Sequence, residues 1–157
     1  VKMIRLLALL VAVLGVVCLG LGAFFIYQGF TKNNYLISTM RDEQITLGLS
    51  EEQIAGGDVL DSMAELQRAG DTVREHRHGI APSYNDVLGG GQFDPTNIRQ
   101  ATYAQALNLE NYLYLGVLSF GVVQLALGVG LFMIVVAIAL WVVGFVLWRL
   151  SGRVIGL

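Results

Sequence analysis

Residues 112–148 read YLYLGVLSFGVVQLALGVGLFMIVVAIALWVVGFVLW, a run of 37 without a charged side chain. As one helix it would measure about 55 Å, against a hydrocarbon core of roughly 30 Å. Either the run is a tight hairpin of two spans, or its outer part stands above the bilayer. A hairpin needs a turn between Gln124 and Met133, where the sequence offers Gly128 and Gly130 but no Pro, Asn or Asp. It would also carry Arg149 and Arg153 to the opposite side. One long helix is therefore expected over 112–148, with roughly 126–148 in lipid and 112–125 needing cover from the polar domain or another protein chain.

A second uncharged run covers 6–30. Lys2 and Arg5 ahead of it resemble the basic start of a signal peptide, but secretory apolar cores span only about 7–15 residues before a small-residue cleavage site. This run is longer and leaves through the bulky Phe24-Phe25-Ile26-Tyr27, so a retained anchor is expected. Charged residues make up 14% of the chain and hydrophobic ones 55%, a balance that points to a bilayer rather than to a soluble domain.

Between the two runs, residues 31–111 hold all twelve acidic side chains against six basic ones, a net charge of −6. Lys2, Arg5, Arg149 and Arg153 flank the apolar runs. The positive-inside rule then predicts cytoplasmic termini (1–5 and 149–157), transmembrane helix 1 at 6–30 and an extracytoplasmic domain at 31–111. Trp148 beside Arg149 marks the inner interface, with Tyr27 and Tyr35 in the outer aromatic belt. The fold class expected is an all-α membrane protein, two transmembrane helices flanking a helical extracytoplasmic domain.

Within that domain, Val59, Met63, Leu66, Val73 and Ile80 recur at helical spacing and predict an amphipathic helix over 58–80, capped by Asp58 and ended by Pro82. Ser50-Glu51-Glu52-Gln53 reads as a capping box for a short helix stopping at Gly56-Gly57. Gly89-Gly90-Gly91 reads as a loop, and Asp94-Pro95 as the cap and first residue of the last helix. The economical arrangement is two projecting stalks with helix 58–80 packed across them.

Little of this is chemistry-bearing. Glu75 and His78 have the Glu-x-x-His spacing of carboxylate-bridged di-iron proteins, but such sites need a second copy, and the chain's other histidine is His76. His78 is expected on a solvated face and His76 in a structural hydrogen bond. No Gly-Lys-Ser/Thr follows the triple glycine, so it is no phosphate cradle. Cys18 is the single cysteine and lies in an apolar run, which excludes an intrachain disulfide. No catalytic, cofactor-binding or metal-binding residue is assigned, and no nucleic-acid partner is expected.

The pattern that stands out is one of size. Ala8, Gly15, Gly22 and Gly29 recur every seven residues, and so do Gly130, Ala137 and Gly144. Small stripes let helix backbones approach closely, and a seven-residue period favours left-handed crossing. These residues, with Gln124 as a polar group able to bond a neighbouring helix, form the expected helix-packing interface. Sequence leaves open whether it joins spans of one chain or of different chains.

Glu43-Gln44-Ile45-Thr46, Arg74-Glu75-His76, Thr102-Tyr103-Ala104-Gln105-Ala106 and Phe120-Gly121-Val122-Val123 with Gly128-Val129-Gly130 resemble a family of short, functionally uncharacterised two-span membrane proteins of actinobacterial type. These are often mislabelled aromatic ring-opening dioxygenases. Two histidines two residues apart do not supply the two-histidine, one-carboxylate set such iron enzymes use. The resemblance implies a two-span topology in a bacterial plasma membrane and no activity. The expected function is a non-catalytic accessory or structural subunit of a larger membrane complex, such as an energy-converting one, with membrane lipids and other subunits as partners. A self-assembling envelope protein, hence a homo-oligomer, and a metal-dependent enzyme are the alternatives.

Overall fold

The computed structural model describes residues 2–153, the side chain of Arg153 excepted. All regular structure among them is helical: α1 (Lys2–Glu43), α2 (Glu51–Ala55), α3 (Met63–Ile80), α4 (Tyr84–Leu88) and α5 (Ile98–Arg153). The two prolines, Pro82 and Pro95, both fall between α3 and α5, so neither long helix meets a residue that lacks its hydrogen-bonding N–H. α5 runs without interruption through 124–133, where a hairpin would have turned. α1 and α5 are both long and apolar enough to cross a membrane.

Two compact units divide the described chain. The first comprises residues 2–32 and 123–153, the second residues 33–122. In the first unit α1 and α5 pair antiparallel. Ala8, Gly15, Gly22 and Gly29 are the buried residues of α1, and Val123, Gly130, Ala137 and Gly144 are buried along α5. The large side chains between them, such as Leu14, Phe24, Phe132 and Phe145, are turned outward.

In the second unit α3 lies against the end of α1 and the start of α5. Leu60, Leu66, Ala69, Val73, Leu113 and Phe120 form its core, with Leu36, Ile37 and Met40 of α1 packed on it. Gly70 lets the two helices close up, since a Cβ there would stand 3.1 Å from the Tyr114 ring. A smaller cluster of Ala81, Val87 and Tyr103 holds α4 on α5.

Helix starts follow side-chain capping, and three differ from expectation. Ser50 and Gln53 do form the predicted capping box of α2. α3, however, starts at Met63: Ser62 caps it with Glu65 as its reciprocal partner, while Asp58 stands four residues upstream of that cap. The intervening segment is irregular and is tied to the loop after α1 by the Leu60 N–H, which donates to the Ile45 carbonyl at 2.8 Å. α4 is an additional helix, capped by Ser83 accepting from the Asp86 N–H and closed by Gly89 in the left-handed conformation. Asp94 caps only a turn. Asn97 accepts from the N–H groups of Arg99 and Gln100 and opens α5 at Ile98, three residues beyond Pro95.

Candidate functional site

The small-residue stripes of the first unit meet each other. An ideal Cβ on Gly22 would sit 2.8 Å from the Gly130 carbonyl oxygen, and one on Gly130 would sit 2.9 Å from the Gly22 oxygen. One heptad away, a Cβ on Gly15 would be 3.3 Å from the Ala137 oxygen; one heptad the other way, a Cβ on Gly144 would be 3.4 Å from the Ala8 oxygen. Each step of seven forward on α1 is a step of seven back on α5. Gly29 abuts the Leu127 side chain. Trp141 lies over Gly15, and its indole N–H donates to the Ala12 carbonyl at 3.2 Å. The stripes thus close an intrachain seam. Gln124 is on an exposed face of α5, beside the buried Val123.

The second unit contains a buried polar cluster that periodicity did not single out. Arg77 and Glu110 are 7% and 6% exposed, and the Arg77 Nε–H donates to a Glu110 carboxylate oxygen at 2.6 Å. The guanidinium also donates to the Tyr103 hydroxyl and lies 5.0 Å from the centre of that ring. The Glu110 hydrogen bond is the main cause holding the Arg77 guanidinium protonated above its ordinary range, against the opposing effect of burial. At the exposed edge the Tyr114 hydroxyl donates to Asp71 at 2.7 Å. That bond, and then the Gln67 amide, lower the Asp71 carboxyl below its usual value. The same bond raises the Tyr114 phenol.

The expected hydrogen bond of His76 is not formed. Helical phase buries Leu66, Ala69, Gly70, Val73 and Arg77, which leaves His76 exposed one position off that face. Glu75 and His78 are exposed too. Among the described residues no three His, Cys, Asp or Glu side chains converge as a metal-binding group.

What remains open in the second unit is apolar. Leu109, Tyr112, Leu115, Leu118 and Val122 follow one another along α5 at spacings of three and four and are exposed, Tyr112 by 66% and Leu118 by 62%. Beside Tyr112 an open groove of about 280 Å³ is walled by Met40, Ile45, Leu60, Leu109 and Leu113. On the exposed surface of the same unit Arg41 pairs with Asp61 at 2.7 Å.

No protein-family model matches this chain, and no curated protein or solved structure matches it either.

Proposed function

We propose that the chain is a non-catalytic accessory subunit of a larger bacterial membrane complex, anchored by α1 and α5 and engaging its partner through the apolar strip of α5 in the second unit. The strip carries the reading. Exposed apolar surface in a continuous row marks an interaction site more often than an idle face, and here the row adjoins an apolar groove of its own unit. Because the small-residue stripes already serve the intrachain seam, the partner contact shifts from those stripes to the large side chains Tyr112, Leu115 and Leu118. The buried charges Arg77 and Glu110 neutralise each other and are spent on holding α3, which suits a scaffold better than a reactive site.

In this reading residues 31–111 are extracytoplasmic and both termini cytoplasmic, because the basic residues gather at the chain ends and the acids between the spans. The likeness to two-span actinobacterial proteins points the same way. Affinity purification in mild detergent tests the proposal. The native chain brings down a different membrane protein in stoichiometric amount, and Leu118→Asp releases it. Recovery of monomer alone refutes the proposal, and crosslinking that yields only self-products favours the self-assembling alternative.

A further inference from the structure

The first unit gathers most of its basic residues at one end and has no acid with which to balance them. Lys2, Arg5, Arg149 and Arg153 lie toward the chain ends and Lys32 at the other limit of the unit, whereas residues 1–32 and 123–157 contain no aspartate or glutamate. The seam fixes where these groups lie. With Ala8 against Gly144, Arg5 is about 4.5 Å, Arg149 about 7.5 Å and Lys2 about 9 Å beyond that crossing along the pair, all toward the same end. Lys2, Arg5 and Arg149 are exposed, and among the described residues none accepts a hydrogen bond from their side chains or pairs with them. The flanking surface is apolar: Met3, Phe145 and Trp148 are 73%, 64% and 58% exposed.

We infer that this end is a binding site for anionic glycerophospholipid. A phosphodiester headgroup supplies the charge that Lys2, Arg5 and Arg149 lack, and its acyl chains lie along Phe145 and Trp148, so one ligand complements both the cationic rim and the apolar flank. A soluble anion would match only the rim. An acidic protein segment would leave the apolar flank to bulk lipid. The inference rests on the reading of α1 and α5 as membrane spans.

The test uses the full chain reconstituted into phosphatidylcholine bilayers containing one tenth phosphatidylglycerol. Bromine is carried on the acyl chains of either lipid at equal mole fraction, and the quenching of tryptophan fluorescence is read. Of the two tryptophans, Trp141 lies in the seam and Trp148 on the flank, so a Trp141→Phe background isolates the reporter. Brominated phosphatidylglycerol quenches Trp148 at least about threefold more than brominated phosphatidylcholine, and K2Q/R5Q/R149Q brings the ratio to one while quenching by phosphatidylcholine persists. Equal quenching by the two lipids in the native sequence, or a preference that survives the triple substitution, overturns the lipid site and leaves the membrane reading standing. Absence of quenching by either lipid overturns both.

Discussion

Glu110→Gln removes the counter-charge of Arg77 while keeping its shape. The Gln carbonyl can still accept from Arg77 Nε, but the guanidinium cannot shed its proton and stays 7% exposed. Breaking one side of a buried ion pair costs about 3–5 kcal/mol. Both side chains retain 8% exposure in a small helical unit, so water relieves part of that cost and the lower bound of about 3 kcal/mol is expected. The loss falls on the attachment of α3 to α5. Amides of α3 from Leu66 to Arg77 should therefore exchange with solvent about 150-fold faster in the variant under conditions where exchange reports the opening equilibrium. Amides along the seam of the first unit should be unchanged. The double variant R77M/E110L removes both charges and leaves the Tyr103 hydroxyl without its Arg77 donor, so its exchange should return to within about tenfold of native. If Glu110→Gln accelerates exchange less than about fivefold, or the double variant is the worse of the two, the pair does not hold α3 as argued here.

Gly22→Ile drives a branched side chain into the Gly130 backbone and should destabilise the helix pair by about 1–3 kcal/mol in a denaturing-detergent titration. Gly20→Ile, where a Cβ meets nothing within 4 Å, should not. Ser62→Ala removes the α3 cap and should cost about 1 kcal/mol in the thermal melting of the second unit. The Asp71–Tyr114 pair sets a pH window. Asp71 is lowered by Tyr114, so its contribution is present above about pH 4 and is lost as pH falls through the depressed value. Tyr114 is raised by Asp71, so its contribution is present below about pH 10 and lost as pH rises through the elevated value. Tyr114→Phe should flatten both edges in a pH series of melting curves; unchanged edges would assign them to other groups.

The seam was legible because close helix packing writes itself as residue size at a fixed period, and Gly15, Gly22, Gly130 and Gly144 are visible without knowing what they touch. The uninterrupted α5 was legible from the lack of turn chemistry near Gly128. The start of α3 was misread because Asp58 and Ser62 are both competent caps. The deciding signal, Ser62 with Glu65 three residues on, is the same box already recognised at Ser50. Arg77 escaped notice for a different reason. It shares the face of Leu66, Gly70 and Val73, yet an arginine there reads as solvated unless its partner is known, and Glu110 lies 33 residues away. Nothing local in sequence links the two. His76 was assigned a role that belongs to its neighbour, an error of one residue and hence about 100° of helix rotation.

The heptad match of α1 and α5 also governs how the pair can move. A slide of one helical turn, about 5.4 Å, would bring Gly22 opposite a residue three or four positions from Gly130, where Ile134 and Leu127 have no room for a backbone contact. Only a shift of seven residues, about 10.5 Å, sets small against small again: one direction keeps two of the three matched pairs, and the other sets Gly15, Gly22 and Gly29 against Gly144, Ala137 and Gly130. With no small-against-small register within a single turn, the two helices act as a latch rather than a piston, free to tilt or part but not to slide by one turn.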